Sequence, residues 1–490
     1  MADASTPLKS LAALLGDSSV DAALEIVGLK IDSRKVIVND AFIAIKGRHG
    51  DGREYIDNAI ANGAVVILVS ELLTIKVSVP VIVVDKLAQN LGYLAAKFYD
   101  GEKALKIIGV TGTNGKTTCA HLLGQLLNEL GLPCGLIGTL GCGMPSQLVD
   151  TGMTTPDVFA VHSNLNLIER QGGQAVAMEV SSHGLDQGRV DGVHFHSALI
   201  TNLTRDHLDY HGDMQAYGAA KKKLFQRREL KYAVLNADDS FTIGLRKDLP
   251  TNVKCVTFST QSDNADVWVD DTSYHNHGIS ATIHSPWGRQ AFACALLGPF
   301  NLSNVVGVIS VLGAWGYPLA DILMQVQKLT PVPGRMQIIT GKGPLVIVDY
   351  AHTPDALEQA LKASRIHCEG KLQLVFGCGG DRDHGKRQQM GKIANQFADH
   401  SVVTSDNPRG EEPEKIIDMI TAGFNSEQSY IREVDRADAI ALAITKATVN
   451  DCVLIAGKGH EKYQEAGGKR IDFSDADVAA KALILRGAAK

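Results

Sequence analysis

Residues 107–118 read Ile-Ile-Gly-Val-Thr-Gly-Thr-Asn-Gly-Lys-Thr-Thr. An apolar run passes into a glycine-rich turn, and the Lys-Thr-Thr then begins an amphipathic segment around residues 122–130. This order of strand, loop and helix is typical of a phosphate-binding loop, because glycines let backbone N–H groups converge on phosphate oxygens at a helix N-terminus. In such a loop Lys116 reaches the β- and γ-phosphates, and the Thr117 hydroxyl can ligate Mg²⁺.

The loop departs from the common pattern at one position. The strict spacing requires a glycine five residues before Gly115, but that position is Val110 and the glycine is Gly112. The alternative is a glycine-rich turn with an exposed lysine. The strand before the loop and the helix after it favour a nucleotide-phosphate site. Its residues are Gly112, Thr113, Asn114, Gly115, Lys116, Thr117 and Thr118.

Length and composition indicate a multidomain protein of ordinary polarity. A chain of 490 residues is too long for one hydrophobic core, so two to four domains are expected. Hydrophobic residues make up 45% and charged residues 21%, which is usual for a globular protein. The net charge of -6 and the pI near 6.2 argue against nucleic acid as a main partner.

Cysteine usage and the chain start predict a cytosolic location. The eight cysteines are scattered without a C-x-x-C pair, which favours free thiols in a reducing compartment. The first residues lack a basic segment followed by an apolar core, so no signal peptide is predicted. The apolar runs 64–69 and 79–84 are too short to cross a membrane.

Three sections are predicted along the chain, at 1–100, 101–331 and 332–490. Strands and helical segments alternate in each, which predicts an α/β fold with parallel sheets and ligands at the carboxyl ends of the strands. The predicted strands are 27–31, 41–45, 64–69 and 80–84 in the first section, 107–110, 175–180, 197–203 and 232–235 in the second, and 345–348, 372–376, 401–404 and 452–455 in the third. A helical segment at 87–99 precedes the phosphate loop.

Polar motifs follow two strands of the middle section. Glu179 ends one strand, and His207 lies in the segment Asn202–Asp209 after another. Taken singly, a buried ion-paired carboxylate and a backbone-bonded loop histidine are the better interpretations. Together, and beside a phosphate loop, they favour Mg²⁺ that bridges the nucleotide and a second substrate. His211 stands four residues after His207, but the following residues read as a turn, so zinc is disfavoured.

Two further segments leave alternatives open. In the run 219–225, Lys222 and Lys223 suit a solvated face, whereas Lys221 follows two alanines and can face inward. In the helix-opening segment 298–304, Asn301 can bond an adenine edge or cap the helix.

The third section contains residue types that suit ribose and an amino acid. Asp349 ends a strand and can accept ribose hydroxyls, and Arg335 follows the linker. The run 377–387 does not fit G-x-G-x-x-G, which disfavours a dinucleotide site. Arg387 and Arg409 can each clamp a carboxylate, and Glu461 can pair with an ammonium, which together predicts an amino-acid pocket. For any one of these residues alone, an exposed ion pair is the better interpretation.

Six motifs in order resemble the Mur ligases of peptidoglycan synthesis. They are Thr-Gly-Thr-Asn-Gly-Lys-Thr at 111–117, Met-Glu-Val-Ser-Ser-His at 178–183, Asn-Leu-Thr-Arg-Asp-His-Leu-Asp at 202–209, Asp-Tyr-Ala-His-Thr-Pro-Asp at 349–355, Gly-Gly-Asp-Arg-Asp at 379–383 and Gly-Lys-Gly-His-Glu at 457–461. The resemblance implies three α/β domains, of which the central one is a parallel-sheet P-loop ATPase domain and the C-terminal one is Rossmann-like. In order, they would bind a UDP-linked muramoyl dipeptide, ATP with Mg²⁺, and an amino acid.

The resemblance also implies roles for individual residues, and in it the glycine spacing around Val110 is a family mark. It implies Lys116, Lys221, Glu179 and His207 as catalytic, with Thr117, Glu179, His207 and a carbamylated Lys221 as Mg²⁺ ligands. Adenosine contacts are Asn301, Arg335 and Asp349. Contacts to the nucleotide-sugar peptide are Thr154, Thr155, Ser181, Gln187 and Arg189, with Ile31, Ser33, Arg48, His49 and Gly50 for uridine. Amino-acid contacts are Arg387, Asp406, Asn407, Pro408, Arg409, Gly457 and Glu461.

The Asp-Asn-Pro-Arg tetrad is the family's signature for meso-diaminopimelate. The resemblance therefore implies ligation of meso-diaminopimelate to UDP-N-acetylmuramoyl-L-alanyl-D-glutamate through an acyl phosphate, with release of ADP and phosphate, by a monomer. Met153 is a departure, because relatives often have Asn before the two threonines. The rivals are a folylpolyglutamate synthetase, a lysine-adding relative, which should lack Arg409, and a regulatory nucleotide-binding protein without ligation.

Overall fold

The structure is a computed structural model that describes residues 8–47, 50–73, 77–99, 105–426 and 429–488. The chain divides into two compact units, Met1–Leu235 with Asp239–Cys255 and Asn236–Asp238 with Val256–Lys490. Within the described ranges, no helix combines the length and apolarity that a membrane crossing requires. All eight cysteines are free thiols, as predicted.

The first unit begins with a four-stranded parallel sheet in the order β3-β4-β5-β6. Its central strands β4 and β5 are almost fully buried, as expected for apolar runs in a parallel sheet. The elements are β1 (Lys9–Ser10), α1 (Leu11–Leu15), β2 (Glu25–Ile26), β3 (Gly28–Lys30), β4 (Asp40–Ala44), α2 (Ile56–Ala61), β5 (Ala64–Val69), β6 (Val81–Val83) and α3 (Leu91–Tyr99). The predicted strands are confirmed, and the predicted helix begins four residues later than expected.

The rest of the first unit is a sheet that carries the phosphate loop. Its strands run in the order β12-β11-β7-β10-β8-β9, all parallel except β9. The elements are β7 (Lys106–Thr111), α4 (Lys116–Glu129), β8 (Cys134–Gly138), β9 (Gly141–Gly143), α5 (Val158–Arg170), β10 (Ala175–Glu179), α6 (Ser182–Asp186), β11 (Phe195–Ile200), α7 (Leu208–His211), α8 (Met214–Phe225), β12 (Tyr232–Asn236) and α9 (Ser240–Gly244). Glu179 is in register with Val110, and Ile200 with Thr111, so three polar segments begin at one sheet edge.

The second unit begins with strands that the sequence interpretation missed. They are β13 (Lys254–Ser259), β14 (Val267–His275), β15 (Gly278–Ser285) and β16 (Gly288–Cys294), followed by α10 (Pro299–Ala314) and α11 (Leu319–Val326). Strands β14 to β16 form an antiparallel meander. Ile279, Ala281 and Ile283 are buried and alternate with more exposed residues, the pattern of an antiparallel strand with one solvated face.

A six-stranded sheet completes the second unit, in the order β17-β18-β22-β19-β20-β21. All neighbours are parallel except β17 and β18, and helices follow the strands as in a Rossmann-like fold. The elements are β17 (Gln337–Ile339), β18 (Leu345–Asp349), α12 (Pro354–Ile366), β19 (Leu372–Phe376), α13 (Gly385–Phe397), β20 (His400–Val403), α14 (Pro413–Thr421), β21 (Tyr430–Arg432), α15 (Arg436–Lys446), β22 (Cys452–Ala456), β23 (Tyr463–Ala466), β24 (Lys469–Asp472) and α16 (Asp475–Ala488). The predicted α/β class with parallel sheets is confirmed.

Candidate active site

The phosphate loop is the turn between β7 and α4. Gly112 has φ 143° and Gly115, the N-cap of α4, has φ 87°, both in the region that favours glycine. A Cβ at Gly112 would lie 1.9 Å from the Thr201 hydroxyl. Because Thr201 approaches so closely, this position has no room for a side chain, which explains the unusual position of the glycine. Lys116 Nζ donates to the carbonyl oxygens of Gly112 and Thr113 at 3.0 and 2.8 Å, which holds the ammonium over the loop.

The segment after β11 braces this loop. The backbone N–H of Thr113 donates to the Asn202 carbonyl at 2.9 Å, and the N–H of Asn114 donates to Asn202 Oδ1 at 3.0 Å. The Thr204 N–H donates to the Thr113 hydroxyl at 2.9 Å. The motif that contains His207 therefore has a structural role as well as a predicted chemical one.

Glu179 is a buried carboxylate beside the loop, with 1% of its surface exposed. It accepts hydrogen bonds from the Thr117 hydroxyl at 2.9 Å, from the Thr139 N–H at 2.8 Å and from the Thr139 hydroxyl at 3.1 Å. A Cβ at Gly138 would lie 2.2 Å from Glu179 Oε1, so Gly138 makes room for the carboxylate. The sequence interpretation missed Gly138, which ends strand β8, and Thr139, which follows it.

Lys221 faces inward from α8, as predicted, with 1% of its surface exposed. Its Nζ donates to the Gly112 carbonyl at 2.8 Å and lies 4.6 Å from the centre of the Tyr217 ring. Burial, with the positive charge of Lys116, holds the pKa of Lys221 well below its usual value. By contrast, the solvated face predicted for Lys223 agrees with its 49% exposed side chain.

His207 lies at the start of α7 with φ 52°, in the left-handed region. Its ring is 6.0 Å from the ring of Tyr217 and 4.8 Å from that of His183. Burial lowers the pKa of His207. The negative charge of Asp206 opposes this shift, and the positive charges of Lys116 and Lys221 add to it. For His183, burial followed by the charges of the neighbouring histidines lowers the pKa to about 4. A neutral imidazole at His207 has a lone pair with which it can ligate a metal.

The residues predicted for Mg²⁺ fit that ion in part. The Thr117 hydroxyl and the Glu179 carboxylate are in hydrogen-bond contact, and oxygen is the ligand atom that Mg²⁺ prefers. Across the described residues, no group of three or more His, Cys, Asp or Glu side chains forms a metal cluster. As an ammonium, Lys221 donates hydrogen bonds and has no lone pair with which to ligate a metal. Its carbamate would add two oxygens beside the loop, which is the donor set that the prediction needs.

The residues predicted for the nucleotide-sugar peptide form one hydrogen-bonded network. The Thr155 hydroxyl donates to the Glu179 carbonyl at 2.9 Å and accepts from the Ser181 N–H at 3.0 Å. Arg189 donates to the Thr155 carbonyl at 2.8 Å and, through two nitrogens, to Gln187 Oε1 at 2.9 and 2.6 Å. One network thus connects the residues predicted to bind the nucleotide-sugar peptide to the backbone carbonyl of Glu179, a predicted metal ligand.

Thr154 and Met153 extend this network. The Thr154 hydroxyl lies 3.0 Å from the Thr139 hydroxyl, which also contacts Glu179. Met153 Sδ lies 3.5 Å from Arg189 Nη1, so a thioether occupies the position where relatives often carry an amide. A thioether is a weak acceptor, and the contact to Arg189 is weaker than an amide oxygen would make.

The predicted uridine residues lie in the first sheet's loops. Ser33 is buried and begins a short 3₁₀ turn, and the Ser33 carbonyl accepts from Asn62 Nδ2 at 2.9 Å. Ile31 follows β3, and Gly50 closes a tight loop by accepting from the Gly47 N–H at 2.8 Å. Arg48 and His49, predicted for the same site, lie outside the described residues.

In the second unit, Asn301 and Asp349 are both held by neighbouring backbone. Asn301 Nδ2 donates to the Leu297 carbonyl at 2.8 Å, and the N-cap of α10 is Gly298, so the capping alternative for Asn301 is wrong. Asp349 accepts from the N–H groups of Met336 and Ala351 at 2.8 and 2.9 Å. Burial raises the pKa of Asp349, and the nearby charge of Arg335 opposes that shift. The adenosine role of these residues stays a prediction.

The Asp-Asn-Pro-Arg tetrad follows β20 at the carboxyl edge of the six-stranded sheet. Arg409 has φ 51°, donates to the Gly380 carbonyl through Nη1 at 2.8 Å, and lies 3.6 Å from Glu465. Its side chain is 24% exposed. Asn407 Nδ2 donates to Glu461 Oε2 at 2.8 Å, which joins the tetrad to the segment after β22. The structure therefore brings the predicted carboxylate clamp and the predicted ammonium partner to the same sheet edge.

Arg387 requires a correction. It is fully buried, and its two terminal nitrogens donate to the two oxygens of Glu411 at 2.8 and 2.7 Å, which lowers the pKa of Glu411 to about 2. The clamp predicted for a substrate carboxylate therefore holds a protein carboxylate. The exposed Arg382, which was not predicted, also lies beside Gly379: a Cβ on Gly379 would be 3.7 Å from Arg382 Cγ and 2.9 Å from Arg409 Nη1.

Three family models match the chain along its length. The Mur ligase family catalytic-domain model matches residues 25–99, the Mur ligase middle-domain model matches 110–312, and the Mur ligase glutamate ligase domain model matches 334–459. A UDP-N-acetylmuramoyl-L-alanyl-D-glutamate–2,6-diaminopimelate ligase of Xanthomonas campestris pv. campestris is 47% identical over 97% of this chain and 98% of its own. The chain belongs to the Mur ligase family. It is therefore a ligase.

Further Mur ligases extend the comparison. The 2,6-diaminopimelate ligase of Coxiella burnetii is 43% identical over 95% of this chain and 97% of its own. A solved structure of a ligase with the same name has TM-score 0.72 and 36% identity, covering 98% of this chain and all of that one. The Thermotoga maritima MurF ligase in complex with ADP shares the fold, with TM-score 0.63, 19% identity and coverage of 94% and 96%. The three-domain α/β architecture predicted from the motifs is confirmed.

Proposed function

We propose that this Mur ligase adds meso-2,6-diaminopimelate to UDP-N-acetylmuramoyl-L-alanyl-D-glutamate with hydrolysis of ATP to ADP and phosphate, in peptidoglycan synthesis. The observation that carries the choice of amino acid is that one edge of the six-stranded sheet holds both the Arg409 guanidinium, which donates to the Gly380 carbonyl, and the Glu461 carboxylate, which accepts from Asn407. Each end of meso-diaminopimelate carries an ammonium and a carboxylate, so the end that is not ligated suits one acidic and one basic partner. The names of the full-length relatives support the same substrates.

The first half of the reaction belongs to the first unit. The terminal carboxylate of the dipeptide attacks the γ-phosphorus of ATP, and the bond from that phosphorus to the bridging oxygen of ADP breaks. Lys116, held at the phosphate loop, offsets charge on the transferred phosphoryl group, so catalysis is mainly positioning and electrostatics. The network of Thr155, Gln187 and Arg189 orients the acceptor dipeptide.

Mg²⁺ would be held by Thr117, Glu179, His207 and a carbamylated Lys221, and when bound it supplies positive charge to the phosphate oxygens. The low pKa of Lys221 favours the neutral amine. That neutral amine attacks CO₂, a C–N bond forms, and one proton leaves for solvent, so the amine becomes a carboxylate-like anion.

The second half needs an amine beside the acyl phosphate. Arg409 binds the distal carboxylate of meso-diaminopimelate and Glu461 binds its ammonium, which orients the other amino group for attack on the acyl carbon. Phosphate leaves as the amide forms. We propose that the enzyme acts as a monomer in the cytoplasm, and the free thiols support that location.

A phosphate-release assay tests the proposal. With ATP and the UDP-linked dipeptide, meso-diaminopimelate should give rapid release, and lysine or glutamate should give little. Lysine-dependent release would support the lysine-adding alternative, and glutamate-dependent release would contradict the choice of amino acid. No release would count against ligation of this dipeptide, as expected for a folylpolyglutamate synthetase or a regulatory protein. Arg409→Ala should raise the KM for meso-diaminopimelate about 10- to 100-fold, the loss of a charge-assisted contact, and leave the KM for ATP unchanged. An unchanged KM for the amino acid would remove Arg409 from the pocket.

A further inference from the structure

Lys458 is a fully buried cation between the two segments of the amino-acid pocket. Its side chain has no exposed surface, and Nζ donates to Asn407 Oδ1 at 2.9 Å and to Glu461 Oε2 at 3.1 Å. Asp406 Oδ1 lies 3.8 Å away. A buried ammonium is unfavourable unless acceptors surround it, and here the acceptors are residues predicted to bind the substrate.

The hydrogen bonds of Lys458 fix the orientation of the Asn407 amide. Asn407 Oδ1 accepts from Lys458 Nζ and from the Glu465 N–H, the latter at 2.9 Å. Both partners are donors only, so the oxygen of the amide must face them. The amide nitrogen then faces Glu461 Oε2, to which it donates at 2.8 Å. Without Lys458, only the Glu465 N–H would donate to the Asn407 amide oxygen and hold it in this orientation.

The same lysine sets the charge of the pocket. Asp406 and Glu461 bring two carboxylates, and Lys458 brings one ammonium, so the group of three carries one net negative charge. The nearby Arg436 is paired at 2.7 Å with Asp475, and both are fully buried, so that pair adds no net charge. One uncompensated negative charge matches one ammonium of an incoming amino acid.

The glycine beside Lys458 keeps these groups together. Gly457 has φ 121°, and a Cβ there would lie 2.5 Å from Asp406 Oδ2. Because the turn carries no side chain at that position, the Asp406 carboxylate can lie within reach of the Lys458 ammonium.

We propose that Lys458 is a positioning residue that determines amino-acid specificity, by holding the Asn407 amide and the Glu461 carboxylate in the arrangement that receives the substrate ammonium. The inference rests on the proposed function of this pocket. It assigns Lys458 no contact with the substrate. It predicts an effect on the binding of the amino acid that is absent for the other two substrates.

Lys458→Met tests the role, with Lys462→Met as the matched control because Lys462 is exposed on the same turn. Lys458→Met should raise the KM for meso-diaminopimelate at least tenfold and leave the KM values for ATP and the UDP-linked dipeptide within twofold. Lys462→Met should change none of them. A folded Lys458→Met protein with an unchanged KM for the amino acid, or with all three KM values raised equally, would overturn the proposal.

A second variant and the order of the assays keep the test decisive. If Lys458→Met does not fold, Lys458→Arg retains the charge but not the geometry, and it should still raise the KM for the amino acid alone; normal kinetics in that variant would count against the proposal. Wild-type protein is first assayed with several amino acids, which tests the proposed function by itself. The variants are then compared with whichever amino acid the wild type uses, so failure of one proposal is distinguishable from failure of the other.

Discussion

At the scale of single residues, Lys221 is the group whose ordinary chemistry fits its surroundings least. Its ammonium is buried and is repelled by the positive charge of Lys116. It donates a hydrogen bond to the Gly112 carbonyl and lies over the Tyr217 ring. All of these contacts are with groups outside the predicted acceptor site. A lysine with a depressed pKa is a nucleophile at neutral pH, which is the property that carbamylation by CO₂ requires.

Lys221→Ala should therefore lose at least a hundredfold in turnover, and added bicarbonate should not restore it. The physical reason is the loss of an anionic ligand next to the phosphate loop. Phosphate release measures turnover, and intact mass near neutral pH should show the mass of one CO₂ on the wild type but not on the variant. Lys222→Ala is the control, since Lys222 is on the same helix and pairs with Asp248 at 2.9 Å. Near-normal turnover of Lys221→Ala would exclude the carbamate.

Residue types show the limit of sequence interpretation. Arg387 and Arg409 both stand in polar segments after strands, and the sequence gives them equal claims to a substrate carboxylate. Only the fold reveals that Arg387 faces inward onto Glu411 while Arg409 stays partly exposed. Lys221 could be distinguished from the solvated Lys222 and Lys223 because two alanines precede it, but the sequence around Thr139 and Lys458 carries no such signal. Their importance depends on contacts with residues far away in the chain.

At the scale of elements, the phosphate loop between β7 and α4 could be predicted from the sequence, but the reason why position 112 must be glycine could not. Glycine spacing after an apolar run predicts a phosphate loop from local sequence alone. The clash that excludes a side chain at Gly112 involves Thr201, which follows a different strand. The meander β14–β16 was missed for another reason, because the parallel interpretation of the middle section was extended over a segment whose period-two pattern indicates antiparallel strands.

Gly112→Ala should weaken nucleotide binding and lower the free energy of unfolding by about 1–3 kcal/mol. The new Cβ meets the Thr201 hydroxyl, and φ at this position disfavours a side chain. Thermal unfolding and the KM for ATP measure the two effects. Gly131→Ala is matched, because Gly131 also has positive φ, at 81°, but open space around it. Equal effects of both changes would show that backbone strain alone, and not the contact with Thr201, explains the glycine.

The contact between α10 and α12 predicts a pH dependence. His367 is buried, accepts from the Gly298 N–H through Nε2 at 2.9 Å, and donates through Nδ1 to the His275 carbonyl. Backbone N–H groups only donate and carbonyls only accept, so the neutral imidazole is required. Burial lowers the pKa of His367 in the folded protein. Its contribution to stability is therefore complete above the unfolded pKa of about 6.5 and is lost as pH falls below that value.

His367→Phe tests this sign. The variant should unfold at a lower temperature than the wild type at pH 7.5, and the difference between the two should shrink as pH is lowered to 5.5. Taking the difference removes the effect of the other histidines that titrate in the same range. The control is His400→Phe, since the side chain of His400 is exposed at the start of β20. A difference that grows toward low pH would contradict the neutral imidazole.

At the scale of the whole molecule, each compact unit carries its own set of predicted ligand residues at the carboxyl edge of a parallel sheet. The first unit holds the phosphate loop, Glu179, Lys221 and the network around Arg189. The second unit holds the tetrad and the segment of Glu461. Parallel sheets expose their loops in this way because every strand ends at the same edge, which explains why motifs distant in sequence combine within a unit.

Hydrogen exchange with single ligands should show this division. Ligands slow exchange where they remove local opening, so meso-diaminopimelate should protect residues 406–409 and 457–461, and the UDP-linked dipeptide should protect residues 153–155 and 181–189. Arg409→Ala should abolish the first protection and leave the second intact, and Arg189→Ala should do the reverse. Protection of 153–155 by the amino acid alone would place its pocket in the first unit and overturn the assignment made from Arg409 and Glu461. Because exchange is measured without turnover, it separates loss of binding from loss of catalysis.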